Sequence, residues 1–347
     1  MDCRPLQKGG ATSETTWFII ACVKELTVRH GVEWIFLLEK GGEGLALPAE
    51  GKQLLRKVLP GRLGDRLWYR WLMPRMARRE GVDLVMTEES GTKGAGGRRL
   101  SGGGRLGKQE SGGRIPSGAG NDLASKMALC SWGLSGEGLS FSFDGREIRV
   151  PLAPDEEVRS LSVEEREKWK EDVAGGREYF FADVTGLGAA RVMNLLKAFS
   201  LFKKRQLSNM KLVLAGAGPI EKLDSYKYRE DICLYPGRTK DVTGAAYSII
   251  HTPRRNDTGI VLLNAWRAKT PVITLANETG GKTVPEGVLR VKDDIGEVAE
   301  AMKSLYKNEG IRNELIEKGT SRVAGLSIRG SVEVIWELLV HSDMKTN

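Results

Sequence analysis

Cysteine and histidine are scarce in this chain, and neither is arranged as a disulfide or metal-binding motif. No two of the four cysteines are spaced as C-x-x-C, and the three histidines lie far apart along the sequence. Zinc sites normally show paired ligands at short spacing. We therefore expect reduced structural thiols and no bound metal ion.

Long apolar runs are also missing. The first apolar stretch, 17-WFIIACV-23, stops at Lys24 and Glu25. No run approaches the roughly 18 apolar residues that a membrane-spanning helix needs. No small-residue cleavage pattern follows the first stretch, as it would in a secretory leader. These features predict a cytoplasmic chain that is not an integral membrane protein.

Acidic residues are fewer than basic ones, and the formal net charge is +8. A positive surface favours anionic partners such as nucleotide phosphates, anionic lipid or nucleic acid. The 347 residues fit two domains, because single cores rarely grow beyond about 250–300 residues. We place an N-terminal domain at 1–150, a connector at 151–176 and a C-terminal domain at 177–340.

The N-terminal part reads as interrupted α/β units. A helical pattern ends at His30 and is followed by the strand-like 32-VEWIFLL-38. A second helical pattern spans 53–79 and precedes the strand 82-VDLVM-86. Residues 126–150 predict short strands with glycine turns.

The segment 91–120 differs in composition from the rest. It holds twelve glycines, six Lys or Arg and a single acid, with few large apolar residues. Such a segment cannot bury enough surface to offset chain entropy, so we expect it to be flexible. Its charge also suits nucleic acid, but it lacks the aromatic residues on which single strands stack, which makes nucleic acid the less favoured partner.

The C-terminal part alternates strands and helices. Apolar strands such as 179-YFFADV-184 and 211-KLVLAG-216 are separated by amphipathic helical stretches such as 190-ARVMNLLKAFSLFKKR-205. This alternation predicts a parallel, doubly wound α/β sheet. Binding sites in such sheets lie at the carboxyl ends of the strands.

Three of those strand ends carry residues suited to phosphate. The turn 186-GLGAAR-191 opens a helix, 216-GAGP-219 follows the next strand, and 257-DTG-259 precedes a further helix. Glycine lets backbone N–H groups approach phosphate, and a helix N-terminus adds positive potential. A dinucleotide site would also need an acidic residue after the second strand, where this chain has glycines. The alternative is a tight turn with close helix packing.

These stretches resemble the retaining GT-B glycosyltransferases of the group 1 class, family 4, in versions typical of Bacteroidetes. The resemblance covers most of 179–339 through "NLLKAFSLFKKRQ", "KLVLAGAGP", "TGIVLLNAWRAKTPVIT" and "SLYKNEGIRNELIEKG", and is looser at "WFIIACVKELTVRHGVEWIFLL". It implies two Rossmann-like domains facing a cleft. A nucleoside diphosphate sugar would bind the C-terminal domain, an acceptor would bind the N-terminal one, and no metal or cofactor would be required.

The resemblance also assigns residues. The E-x7-E element of the family, which contacts the donor sugar and ribose, falls on Asn256 and Asn264, and an asparagine can still exchange hydrogen bonds with a hydroxyl. Arg191 lies beside the position of the family's phosphate clamp. The remaining predicted contacts to the nucleotide sugar are Gly186, Gly188, Gly216, Gly218, Thr258 and Gly259.

The N-terminal domain departs from the family pattern and is predicted to be incomplete or degenerate. The family's His-Asp loop would fall in 91–113, where no histidine occurs, and its opening strand and glycine loop are poorly matched by 1-MDCRPLQKGGATSE-14. We assign no catalytic residue. The expected function is hexosyl transfer to a saccharide or lipid-linked acceptor in polysaccharide biosynthesis, and the alternative is a non-catalytic nucleotide-binding relative.

The segment 62–79 allows two interpretations. Its six arginines and three aromatic residues suit contact with an anionic membrane surface, which would fit a lipid-linked acceptor. Pro74 interrupts the helix, which favours a docked domain helix with solvated arginines. Peripheral membrane association is thus the second interpretation of this segment.

Overall fold

The computed structural model describes residues 1, 3, 13–40, 45, 47, 49, 51–56, 72–82, 84–88, 128–135, 138–143, 146–216, 226–237, 239–253, 259–276 and 286–343. These residues form two compact units. The first contains the described residues up to Leu152 and those from Ser327 onward, and the second contains the described residues between Ala153 and Leu326. Residues 153–176, predicted as a connector, thus lie with the second unit, and the C-terminal helix lies with the first.

The first unit contains two small sheets and three helices among its described residues. The helices are α1 (Ser13–His30), α2 (Met73–Arg79) and, near the C-terminus, α9 (Ile328–Asp343). The strands are β1 (Ile35–Glu39), β2 (Lys52–Arg56), β3 (Leu84–Glu88), β4 (Ala128–Ser135), β5 (Gly138–Phe143) and β6 (Arg146–Val150).

Strand pairing in the first unit is mixed. β1 and β2 are parallel, β3 and β4 are parallel, and β4, β5 and β6 form an antiparallel meander. Backbone hydrogen bonds also join Met1 and Cys3 to β1, so a short segment lies beside it where the sequence showed no opening strand. The meander confirms the predicted short strands of 126–150.

One N-terminal prediction is wrong in part. The helical pattern over 53–79 predicted one helix, yet Lys52–Arg56 forms β2 and pairs in register with β1. Of the apolar residues whose spacing suggested the helix, Leu63, Leu67, Trp68 and Trp71 lie outside the described residues, whereas Leu72 lies next to α2 and Met76 lies within it. At β2 the adjacent leucines Leu54 and Leu55 are too short a pattern to separate helix from strand, and tertiary pairing decides. The segment 91–120 also lies outside the described residues.

The second unit is a six-stranded parallel sheet with helices on both faces. Its strands are β7 (Tyr179–Asp183), β8 (Lys211–Ala215), β9 (Ile232–Tyr235), β10 (Ser248–His251), β11 (Val272–Ala276) and β12 (Leu289–Lys292). Its helices are α3 (Val163–Ala174), α4 (Ala189–Gln206), α5 (Thr239–Thr243), α6 (Ile260–Arg267), α7 (Ile295–Lys307) and α8 (Glu309–Val323), with a 3-10 turn at Arg229–Asp231.

Alternation along each strand explains why both faces are covered. On β7, Phe180 and Ala182 pack into a core formed with α4 and α7, while Tyr179 and Phe181 pack against α3, α5 and α6. Successive side chains of a strand point to opposite faces, so a strand that is apolar at every position needs a helix on each side. The predicted doubly wound sheet is therefore confirmed.

No helix of the described part of the chain combines the length and the apolar character needed to cross a membrane.

Candidate functional site

The strand order of the second unit identifies where a ligand is expected to bind. The order is β12-β11-β10-β7-β8-β9, so the chain builds outward from β7 in one direction and then crosses to β10 on its other side. This reversal leaves a crevice at the carboxyl ends of β7 and β10, between a helix on one face and a helix on the other. The turn after β7 and the turn after β10 therefore share one edge of the sheet.

The turn after β7 is short and fixed by local hydrogen bonds. The Asp183 carboxylate accepts a hydrogen bond from the Thr185 amide at 2.8 Å, and the Leu187 amide donates to the Val184 carbonyl at 3.0 Å. Gly186 has a φ of 69°, a conformation that favours glycine. The chain then enters α4 at Gly188.

The N-terminus of α4 suits an anion. No described side chain caps it, its first turn contains no acidic residue, and Arg191 is its third residue. The first amides of a helix lack carbonyl partners one full turn earlier and carry part of the positive end of the helix dipole, although the Arg191 amide here donates to the Gly188 carbonyl at 2.9 Å. Backbone donors, dipole and guanidinium therefore all favour negative charge at this position.

Gly188 is a glycine that the fold itself does not require. Its φ of −65° is available to any residue, and a Cβ added there would meet no atom within 4 Å. The residue is exposed at the end of α4. A glycine in such a position allows a ligand to approach the backbone closely, which is the role that the sequence predicted for it.

Gly216, by contrast, has a structural reason. It follows β8 with a φ of 67°, and an added Cβ would lie 1.7 Å from the Thr185 hydroxyl oxygen and 2.9 Å from the Thr185 Cα. Glycine is needed here because the turns after β7 and β8 touch. The two predicted turns are therefore brought together.

Two polar side chains stand at the end of β10. The Thr252 hydroxyl donates to the Asp183 carbonyl at 3.3 Å, which ties the end of β10 to the end of β7. His251 Nδ1 and the Thr274 hydroxyl are 3.0 Å apart, and both residues are buried. Neither His251 nor Thr252 is among the residues predicted for the site, although each is a polar residue at the end of an apolar strand pattern.

Arg191 forms an ion pair across the site. Its Nε donates to Asp293 Oδ2 at 3.0 Å, with the two side chains 33% and 30% exposed. The two residues line one small pocket together with Leu187, Asn194, Thr252 and Asp294. The predicted phosphate ligand thus already holds a carboxylate, which no feature of the sequence indicated.

The turn after β10 leads to α6. Gly259 is the N-cap of this helix with a φ of 79°, and the first turn of α6 contains no acidic residue. Residues 254–258 lie outside the described part of the chain. The predicted contacts Asn256 and Thr258 are among them, and Gly218 also lies outside the described residues.

Asn264 is buried in the second turn of α6, where its side chain holds a neighbouring segment. Its Oδ1 accepts a hydrogen bond from the Asp155 amide at 2.8 Å. The Asp155 carboxylate in turn accepts from Lys240 Nζ at 3.0 Å, and Lys240 also pairs with Glu157. A ribose hydroxyl at this position would meet the NH2 group of Asn264 as donor or the second lone pair of its Oδ1 as acceptor.

Lys240 is held in its charged form by this network. Burial lowers the pKa of Lys240, but its hydrogen bonds to the carboxylates of Glu157 and Asp155 outweigh that effect, so the pKa is raised. The segment from Ala153 to Val158 is thus fastened to α5 and α6 by a charged and a neutral contact.

The second unit contains a segment that matches a known protein family. Residues 164–322 match the family described as "Glycosyl transferases group 1". The matched segment contains the crevice, the α4 N-terminus and α6. The predicted resemblance to group 1 glycosyltransferases is confirmed for this segment. No curated protein matches the chain.

Two solved structures resemble the chain over almost its whole length. One is WaaG, a glycosyltransferase involved in lipopolysaccharide biosynthesis, at 13% identity and a TM-score of 0.59, covering 94% of this chain and 95% of that one. The other is a glycosyltransferase from Rickettsia africae ESF-5, also at 13% identity, with a TM-score of 0.62 and coverage of 100% and 97%. Likeness at this identity shows the fold, and the predicted GT-B fold with Rossmann-like domains is confirmed.

Proposed function

We propose that this protein is a glycosyltransferase that transfers a hexosyl group, with retention of configuration, from a nucleoside diphosphate sugar to a saccharide or lipid-linked acceptor. The proposal extends to polysaccharide biosynthesis in the cytoplasm. The group 1 match over 164–322 supports transferase activity. The nucleoside diphosphate sugar donor, the saccharide or lipid-linked acceptor and the retention of configuration are inferred from the resemblance of the sequence to the group 1 class.

One observation carries the proposal. The α4 N-terminus lies at the switch point of the parallel sheet, which is the crevice between β7 and β10 where the strand order reverses. The exposed Gly188 is at the start of this helix, and Arg191 is in its first turn. A Cβ at Gly188 would meet nothing, although its backbone conformation allows any residue. An approaching diphosphate accounts for both the glycine and the local charge.

The described residues of this site would act on the leaving group of the transfer, the nucleoside diphosphate. In the transfer, the bond between the anomeric carbon and the diphosphate oxygen breaks, a bond to an acceptor hydroxyl oxygen forms, and the hydroxyl proton passes to the departing diphosphate. Negative charge develops on the departing diphosphate. The backbone amides at the start of α4 and the Arg191 guanidinium would stabilise that charge.

The test is calorimetric titration of the full-length protein with UDP, GDP and ADP. We expect one of them to bind and Arg191→Ala to weaken that binding. The matching nucleotide sugars are then assayed for release of nucleoside diphosphate with saccharide acceptors. If none of the three nucleotides binds, the donor-site proposal is wrong.

A second candidate is a nucleotide-binding relative that no longer transfers sugar. Asparagines occupy both positions of the family's carboxylate pair, and the carbonyl oxygen of Asn264 is engaged by the Asp155 amide. Binding of a nucleotide sugar without release of the sugar in the presence of acceptors would favour this candidate. Turnover would exclude it.

Contact with a membrane surface would suit a lipid-linked acceptor. The arginine-rich segment 62–79 would make this contact, and residues 62–71 lie outside the described part. If this second interpretation of the segment holds, the full-length protein will sediment with anionic liposomes at low salt and be released at high salt. Failure to sediment would restrict the proposal to soluble saccharide acceptors.

A further inference from the structure

The ion pair between Arg191 and Asp293 occupies the position at which the proposed function places a diphosphate. Arg191 lies in the first turn of α4, and Asp293 lies just before α7. Their 3.0 Å contact is only about two-thirds shielded from solvent, and both side chains line the same pocket as Asn194 and Thr252. An anion bound at the α4 N-terminus would therefore meet the guanidinium and the carboxylate together.

The neighbouring Asp294 shows that the fold does not need both carboxylates. Asp294 is the N-cap of α7, and its Oδ1 accepts hydrogen bonds from the Gly296 amide at 2.8 Å and the Glu297 amide at 3.1 Å. Asp293 takes no part in this cap, and its described side-chain contact is with Arg191. We therefore relate the role of the Asp293 carboxylate to its contact with the Arg191 guanidinium.

We propose that Asp293 is a positioning residue that acts through Arg191 and sets the affinity of the site for the diphosphate group. This inference rests on the proposed function. Without ligand, the carboxylate holds the guanidinium beside the α4 N-terminus. A diphosphate, which carries more negative charge and offers Arg a two-point contact, displaces the carboxylate. Asp293 then repels the bound phosphate and favours release of the nucleoside diphosphate product.

The variant that separates these roles is Asp293→Asn. The asparagine Oδ1 can still accept from Arg191 Nε, so the guanidinium stays in place, but the competing charge is gone. We expect nucleoside diphosphate to bind roughly fivefold more tightly, as fits a partly exposed charge pair. Binding of the uncharged nucleoside should not change, because it has no phosphate to repel. A purely structural role for Asp293 would affect both ligands alike.

Asp294→Asn is the matched control. It removes the same charge from the same pocket, and asparagine is as good an N-cap as aspartate, so α7 is preserved. If net charge alone mattered, both variants would tighten binding equally. The proposal requires the larger gain in Asp293→Asn, and equal gains would overturn it.

Titrations of the wild type and of both Asn variants with UDP, GDP, ADP, the matching nucleosides and inorganic pyrophosphate distinguish the two proposals. If a nucleotide binds and Arg191→Ala weakens it, but Asp293→Asn leaves the affinity unchanged or lower, the Asp293 inference is wrong and the proposed function stands. If only pyrophosphate binds, and Asp293→Asn tightens it, the ion-pair role stands and the nucleotide-sugar function falls. If nothing binds any variant, both are overturned.

Discussion

At the scale of single residues, Gly188 and Gly216 are glycines for different reasons. Gly216 has a positive φ and is pressed against Thr185, so the fold requires it. Gly188 has an ordinary φ and open space around it. Both appeared in sequence as equivalent members of glycine turns, and only their backbone conformation and neighbours separate a structural glycine from a candidate ligand contact.

This difference gives a prediction for Gly188→Ser. Serine is a favoured N-cap and fits the backbone, so the free energy of unfolding should be unchanged or slightly higher. Its side chain would occupy the space through which a phosphate approaches the amides. We expect nucleotide affinity to fall tenfold or more, as fits the loss of a charge-assisted hydrogen bond worth about 1.5–3 kcal/mol.

The measurement is calorimetric titration combined with chemical denaturation. Gly330→Ser is the control, because Gly330 lies in the other compact unit and an added Cβ would meet only the Ser327 hydroxyl at 3.4 Å. Unchanged affinity in Gly188→Ser would show that no ligand approaches this turn.

Asn264 gives a second prediction at this scale. Asn264→Ala removes the acceptor of the buried Asp155 amide, and an unsatisfied buried donor costs about 1–3 kcal/mol. We expect the free energy of unfolding in urea to fall by that amount, with Asn194→Ala on α4 as a control that leaves the Asp155 contact intact. An unchanged free energy would mean that the contact does not hold the segment. Nucleotide titration of the same variant tests the ribose role separately.

Much of the site was predictable from residue type, and part of it was not. Glycines and a cation after strands are visible in sequence, and the structure brings Gly186, Gly188 and Gly216 to adjacent turns. The partners of Arg191 and Asn264 were not predictable. Asp293 is about one hundred positions from Arg191, and Asp155 is as far from Asn264, so no local pattern links them.

At the scale of elements, α3 has the best-defined start in the second unit. Ser162 caps the helix, and the Glu165 carboxylate accepts from the Ser162 amide at 2.9 Å, which completes a capping box. Arg159 also bonds Glu165. These hydrogen bonds, that from Arg159 first, lower the pKa of Glu165 from 4.5 to about 2.

This shift predicts how α3 responds to acid. The folded-state pKa lies below the unfolded value, so the stabilisation by ionised Glu165 is fully present above pH 4.5 and is lost as the pH falls towards 2. NMR titration of the Glu165 carboxyl group checks this, and Glu165→Gln should abolish the local transition. A carboxyl that titrates near 4.5 would contradict the described contacts.

The helices and strands were predictable from the sequence wherever a single local pattern of apolar residues was enough to identify them. In the second unit, apolar strands alternate with amphipathic helices such as α4 and α7, and the parallel sheet requires little else. In the first unit, β2 was missed because its five residues carry no decisive period and it is specified by pairing with β1. Pairing between distant segments is the information that local patterns lack.

At the scale of the whole molecule, the C-terminal helix belongs to the first unit. α9 packs against α1, where Trp336 stacks on His30 with ring centroids 4.2 Å apart and Glu333 pairs with Arg29 at 3.3 Å. The chain thus passes from the first unit into the second and returns. Sequence order alone assigns a C-terminal helix to the preceding domain, and only contacts over some three hundred positions correct this.

The central claim is that a nucleoside diphosphate binds at the switch point of the second unit, with its phosphates at the α4 N-terminus. Amide hydrogen exchange of the full-length protein, with and without the nucleotide at saturating concentration, tests it directly. We predict slower exchange at the amides of 186–191 and near Gly259, and unchanged exchange in α9. A bound nucleotide that leaves the 186–191 amides unprotected would contradict the account.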